Sequence, residues 1–223
     1  DGPSILTLSS KYRNIIKSKY KRGCVVQVDF VSLEPRVCRY VAKKDSPKDL
    51  YEHISKNILS DPRDRKVIKL AVLCALYGVS SRRLASMLES ESQAKIIMKK
   101  VRQYFDVTSL ERRLRGELIS NGVLKNYNGR TLSINDYDSH VLVSHYIQST
   151  AVDVALTGFS KLVQDLHRES INIDPLYLIH DALIFDVDPE GLEVLKRVVD
   201  APLSLPMGKF PMSLEIISSR DDI

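Results

Sequence analysis

Tryptophan is absent from this chain of 223 residues, cysteine occurs three times, and glycine and proline nine times each. So little Gly and Pro excludes a collagen-like or low-complexity chain, and 43% hydrophobic with 27% charged residues is the composition of a globular protein with a sizeable core. Long apolar runs are lacking too. The longest, Leu70 to Leu76, falls well short of the roughly 20 residues that span a bilayer, and no signal-peptide pattern opens the sequence. A soluble, intracellular protein without a membrane partner is expected. Cys24, Cys38 and Cys74 are odd in number, have no metal-ligand spacing and sit among apolar residues, which predicts buried free thiols in a reducing compartment. An initiator Met is missing as well: the sequence begins at Asp1, as expected of a portion of something longer. Charge of neither sign dominates, with 33 Lys and Arg against 28 Asp and Glu, a net +5. That excess is compatible with a polyanionic partner without specifying one.

What is present alternates between strand-like and helix-like segments. Cys24-Val25-Val26-Gln27-Val28-Asp29-Phe30 is short and β-branched, a strand ending at an acidic residue. Before it, Lys11 to Arg22 interleaves basic residues with Tyr12 and Tyr20, a pattern open to two readings, a solvated face or a nucleic-acid backbone contact. From Ser46 to about Lys125 the periodicity is helical. One helix is expected to start at Ser46-Pro47 with Leu50, Ile54 and Ile58 on a face, and another to run from about Arg63 to Tyr77 and stop at Gly78. Further helices are expected at Ser81–Leu88, Glu91–Tyr104 and Ser109–Ser120. A hairpin around Asn128-Gly129, an amphipathic helix from Gln148 to Leu166, and two apolar strands flanking His180-Asp181-Ala182 follow. A last helix, Pro189–Val199, and a strand, Met212–Ile217, complete an α+β pattern.

Three separated segments carry chemistry. The first is Asp29 at a strand end with Glu34 five positions on. The second is Arg65, Lys69, Leu73 and Tyr77-Gly78, where steps of four rotate by only about 40° on a helix, so that two cations stack along one edge as phosphates would require. The third is His180-Asp181 between strands.

Together these segments resemble the three motifs of family A DNA polymerases, the group of bacterial DNA polymerase I and its phage and organellar relatives. Asn128-Gly129-Arg130 is similar to the family's Gly-Arg after the fingers, and Gln148-Ser149-Thr150-Ala151-Val152-Asp153 to its Gln-Gly-Thr-Ala-Ala-Asp helix start. The similarity runs from about Val26 to Val187 with five motifs in order. It implies an antiparallel-sheet palm at residues 1–43 and 126–223, with helical fingers inserted at 44–125 and with the thumb and exonuclease domains absent from this sequence. It also implies template-directed DNA synthesis from dNTPs on primer-template DNA. Asp29, Asp181 and the carbonyl of Phe30 would then hold two Mg²⁺ ions, with Mn²⁺ as a substitute. Arg65 and Lys69 would bind the triphosphate, Lys69 donating the proton to pyrophosphate. Leu73, Tyr77 and Glu34 would line the nucleotide pocket, Glu34 favouring a deoxyribose. Arg130, Gln148 and His180 would touch the duplex near the primer end, where the shared minor-groove acceptors carry little sequence information. The missing thumb and exonuclease portion is the implied protein partner.

The sequence departs from the family at Leu73, where an aromatic is usual, at Ala182, where a Glu follows His-Asp, and at His140, Ser144 and Ser149. These departures also admit a catalytically impaired, polymerase-derived nucleic-acid-binding module. A metal-dependent nuclease could use the same two aspartates, but it has no need of Arg65 and Lys69 on one helical edge or of Glu34.

Overall fold

The computed structural model describes residues 15–60, 64–78, 81–134, 138–169 and 171–220. It is α+β, and it divides into two compact units: residues 1–33 with 154–223, and residues 34–153.

The first unit is built on a four-stranded antiparallel sheet of β1 (Cys24–Phe30), β4 (Ile173–Ile179), β5 (Ala182–Val187) and β8 (Met212–Ser219), in the order β4-β5-β1-β8. β1 sits inside the sheet, and Val25, Val26 and Val28 are fully buried, as a β-branched run covered on both faces should be. Pro175 lies where the β4–β5 register shifts, on an edge strand that can spare its missing N–H. The helix α8 (Pro189–Asp200) follows β5, with Asp188 capping it by accepting from the Gly191 N–H at 2.7 Å. A small hairpin of β6 (Leu203–Leu205) and β7 (Gly208–Phe210) precedes β8 and was not expected from the sequence. Of the basic run before β1, Lys19 and Tyr20 are committed to this sheet. Lys19 Nζ pairs with Asp174 at 2.7 Å, the Lys19 N–H donates to Asp186 at 3.0 Å, and the Tyr20 hydroxyl donates to Asp174. Lys11, Tyr12 and Arg13 lie outside the described residues.

The second unit is helical. It comprises α1 (Leu33–Val41) from Glu34 onward, α2 (Leu50–His53), a π-helical turn (Ile54–Ile58), α3 (Arg65–Tyr77), α4 (Arg82–Leu88), α5 (Glu91–Phe105) and α6 (Val107–Asn121). It also holds the short pair β2 (Leu124–Lys125) and β3 (Thr131–Leu132), and the first half of α7 (Ser139–His167). Its core includes Leu50, Ile54, Ile68, Leu84, Phe105, Leu114 and Leu124, all nearly inaccessible. Three expectations are corrected here. The helix expected from Ser46 starts at Leu50, capped by Asp49, and its expected face breaks at the π turn. The five-residue step, Leu59 N–H to Ile54 C=O at 3.0 Å, buries Leu59 and leaves Ile58 half-exposed. The expected hairpin keeps only two residues per strand, because Asn126 turns the backbone early. The helix expected from Gln148 begins at Ser139. Arg63, the expected start of α3, lies outside the described residues, and Asp64 caps that helix through the Lys66 N–H at 2.8 Å. At its other end Gly78 takes φ +64, and a Cβ there would sit 2.5 Å from the His140 Cβ, so glycine answers both the left-handed turn and the close approach. Cys24, Cys38 and Cys74 are buried free thiols, as expected, and burial pushes the Cys38 thiol up to about 12. Among the described residues no helix is long and apolar enough to cross a membrane.

Candidate active site

Asp29 and Asp181 come together in the first unit. The two-residue turn His180-Asp181 joins β4 to β5, Ile179 pairing with Ala182, and Ala182 is in turn the ladder partner of Asp29. The Phe30 N–H donates to the Asp181 carbonyl at 3.3 Å, which fixes the turn beside the end of β1. His180 makes this turn at φ +53, a region that non-glycine residues visit uncommonly and that clusters at functional sites. Its side chain is exposed, whereas Asp29 and Asp181 are half-buried. Behind them Phe30 is buried, tilted against Phe159 of α7 at 4.9 Å and edge-on to Phe210 at 6.3 Å. The carboxylate-bearing ends are therefore anchored to a packed aromatic cluster.

Two carboxylates at neighbouring strand ends, joined by a main-chain carbonyl, fit a hard cation that retains water and takes substrate phosphate as its other ligands. An all-protein cage would need more. Among the described residues no group of three or more His, Cys, Asp and Glu side chains is assembled for a metal, in keeping with Ala182 beside Asp181.

In the second unit α3 carries Arg65, Lys69, Leu73 and Tyr77 down one edge, while Val67, Ile68, Ala71, Val72, Cys74, Ala75 and Leu76 are buried. Arg65 and Lys69 are exposed. Arg65 is also engaged: its Nη1 pairs with Asp49 at 2.7 Å, and its guanidinium lies over the Tyr51 ring, 5.0 Å from the centroid. Burial pushes the Asp49 carboxyl up, but the Glu52 N–H and Arg65 outweigh it and hold that carboxyl below the usual range. The Tyr77 hydroxyl donates to Glu34, and burial first, then that bond, pushes its pKa well above the ordinary phenol value. Glu34 and Tyr77 thus form one unit, 43 positions apart in sequence. Glu34 sits in the first turn of α1, a helix the motif reading passed over, although Pro35 at its start with Val37, Cys38 and Val41 in helical spacing carries the signal. Arg36 is almost wholly buried and donates to Ser46 Oγ, Pro47 O and Lys48 O, so it supports the loop before α2.

Arg130 and Gln148 are brought close by a polar network. Arg130 Nη2 pairs with Asp153 at 2.9 Å and donates to the Ser149 carbonyl at 2.9 Å, next to exposed Gln148. Asn126, buried, donates to Asp153 and accepts the N–H groups of Asn128 and Arg130 at 3.1 and 3.0 Å. Asp153 and Asp49 were not singled out from the sequence. For Asp153 the signal was its place at the end of the Gln148 motif.

The fold is that of a solved polymerase domain. The chain matches the POL domain of Pol1 from M. smegmatis, solved as a complex with DNA primer-template and dNTP, with a TM-score of 0.72 and 18% identity over 96% of this chain and 44% of that one. It is also 21% identical, over 221 residues, to DNA polymerase I of Aquifex aeolicus (strain VF5), covering 89% of this chain and 38% of that protein. The model of DNA polymerase family A matches residues 4–217, and the chain belongs to that family. It spans about two fifths of the length of these two relatives.

Proposed function

We propose that this chain supplies the palm and fingers of a template-directed DNA polymerase, adding deoxynucleotides from dNTPs to a primer 3′-hydroxyl inside the cell, as part of a longer polymerase. The observation that carries the reading is the pairing of Asp29 with Ala182 beside the Asp181 turn, which gathers two carboxylates at one sheet end. Residues 1–43 and 126–223, which include the sheet, are read as palm, and the helical segment 44–125 as fingers. Asp29, Asp181 and the Phe30 carbonyl would hold two Mg²⁺ ions, or Mn²⁺ in their place. When bound, such ions supply charge neutralisation at the primer hydroxyl and at the departing oxygen.

The chain's own residues do the rest. Lys69 and Arg65, exposed on one edge of α3, bind the triphosphate, Arg65 exchanging Asp49 for phosphate oxygens. The primer hydroxyl gives its proton to solvent as its oxygen attacks the α-phosphorus, the bond from that phosphorus to the oxygen bridging to the β-phosphate breaks, and Lys69 Nζ gives a proton to the departing pyrophosphate and regains one from solvent. Leu73 lies against the base and Tyr77 near the templating base. Glu34, held by the Tyr77 hydroxyl, crowds the 2′ position of the sugar. Arg130, Gln148 and His180 follow the primer-template backbone and minor groove without demanding a sequence.

Primer extension with Mg²⁺ and dNTPs, run on the longer parent protein, tests this. Asp29→Ala and Asp181→Ala should each lower the extension rate by at least about a thousandfold, the scale of losing a major electrostatic element of a site, while primer-template binding persists. Absence of template-dependent extension by the parent would leave the binding-module reading, and DNA shortening without dNTPs would favour a nuclease.

A further inference from the structure

The turn that carries Arg130 is built by one buried side chain that the sequence motifs do not mark. Asn126 is 4% exposed, and both ends of its amide are used. Its Oδ1 accepts the Asn128 N–H at 3.1 Å and the Arg130 N–H at 3.0 Å, and its Nδ2 donates to Ser149 Oγ at 2.8 Å and to Asp153. Its own N–H donates to the Arg130 carbonyl at 2.9 Å. Asn126 therefore holds the main chain of Arg130 from both sides, and it also holds Asp153, the acid with which the Arg130 guanidinium pairs at 2.9 Å. Ser149 is the second support. Its carbonyl accepts from Arg130 Nη2 at 2.9 Å, and its hydroxyl, 3.4 Å from the same nitrogen, ties that nitrogen to the Asn126 amide. This is the position at which the Gln148 motif departs from the family's Gly, and a glycine there would keep the carbonyl and lose the hydroxyl.

These bonds fix the direction of the guanidinium. Nε and Nη2 face Asp153 and Ser149, which leaves the two N–H groups of Nη1 for an acceptor outside the network. The Asp153 side chain is more than four-fifths buried, whereas half of the Arg130 side chain is exposed, so the network grips the inner edge of the guanidinium and presents the outer one. We infer that Asn126 and Ser149 are positioning residues for Arg130, locking it so that Nη1 meets an acceptor of the primer-template duplex. A long side chain held in place before binding has less freedom to lose on binding, so the two residues act on affinity by preorganisation. The identity of the acceptor rests on the polymerase reading; the lock on Arg130 does not.

The test is a double-mutant cycle on the longer parent protein, with the primer-template Kd read by fluorescence anisotropy across a salt series. Arg130→Ala should raise the Kd about tenfold, the scale of one hydrogen bond to a charged group. Ser149→Ala removes one hydroxyl and keeps the carbonyl and the helix; it should raise the Kd about threefold, and Asn126→Ala by more than that but by no more than Arg130→Ala. In the Arg130→Ala background neither should matter, each double variant staying within about twofold of Arg130→Ala alone. A merely structural role would give additive losses, and these would overturn the inference, as would unchanged or tighter binding by Ser149→Ala. Should Asn126→Ala fail to fold, the Ser149→Ala cycle decides. With the cycle non-additive, a fall of about 0.9 in the slope of log K against log salt for Arg130→Ala supports the lock with phosphate as the acceptor, and an unchanged slope supports it with a base edge. Non-additive losses in a parent that extends no primer would sink the polymerase reading and keep the lock, and extension with additive losses would do the reverse.

Discussion

At the scale of single residues, two cations of the candidate site are already engaged by neighbours, Arg65 by Asp49 and Arg130 by Asp153. Asp49 caps α2 through the Glu52 N–H and at the same time pairs with Arg65, so its carboxyl titrates below the ordinary 3.8. A depressed carboxylate contributes stability that is present above its unfolded value and lost as pH falls through its folded value. Asp49→Asn keeps a competent cap and removes only the charge. The wild type should therefore melt slightly higher than the variant above about pH 4, by less than about 1 kcal/mol for so exposed a pair. The two curves should converge toward pH 2, and a gap that persists there in thermal melts would show that the charge is not what matters. Leu73 is the other residue with a direct consequence. It is half-buried on the same edge of α3 as Lys69, where it offers an apolar but unstacked surface. Because aromatic stacking on a base is worth about 1–3 kcal/mol, Leu73→Phe should lower the nucleotide KM severalfold or more in steady-state extension kinetics, and an unchanged or higher KM would refute it. The residues that sequence motifs expose, Asp29, Lys69 and Asp181, are those whose identity the proposed chemistry would constrain. The roles of Asp49 and Asp153 were not legible, although Asp153 closes the Gln148 motif, because they lie in pairings 16 and 23 positions away, with Arg65 and Arg130, which no periodicity records.

At the scale of elements, legibility followed local physics. α3 was readable from its apolar spacing and its terminal Gly78, and β1 from its β-branched run. α1 was hidden by the motif it carries, and the π turn by the ordinary helical spacing of Leu50, Ile54 and Ile58, which the extra residue defeats. The β6–β7 hairpin, three residues per strand, is too short for alternation to register. The packing of α7 on β1 was equally unreadable, yet it supports the site. Gly158 faces Phe30, and a Cβ at that position would lie 2.7 Å from the Phe30 Cζ and 2.8 Å from the Leu203 Cδ2. The Phe30 ring, held between Phe159 and Phe210, has little freedom to yield. Overpacking of this kind costs about 1–3 kcal/mol, offset by up to about 1 kcal/mol from the better helix propensity of alanine. Gly158→Ala should thus destabilise the protein by about 1–2 kcal/mol in urea unfolding. Phe30→Leu in that background should recover part of the loss; strictly additive effects would mean that the two positions are not in steric contact.

At the scale of the whole molecule, the sheet unit is assembled from distant parts of the chain, β1 pairing with β5 and β8, whereas the helical unit is one continuous stretch from residue 34 to 153. Each has its own core: Val25, Val26, Val28, Phe185 and Phe210 in the first, Leu50, Ile54, Ile68, Phe105 and Leu114 in the second. Two cores of such different construction need not open at the same denaturant concentration, and the three buried thiols report on them separately. Cys24 lies in β1, and Cys38 and Cys74 lie in the helical unit. A thiol reacts as thiolate, so burial protects these groups twice, by excluding reagent and by raising the pKa, to about 12 for Cys38. Each becomes reactive only when its unit opens. Alkylation at increasing urea, followed cysteine by cysteine with mass spectrometry, should give Cys38 and Cys74 one shared midpoint and Cys24 a different one. A single midpoint for all three would mean that the chain unfolds as one cooperative body and that the division into two units is geometric only.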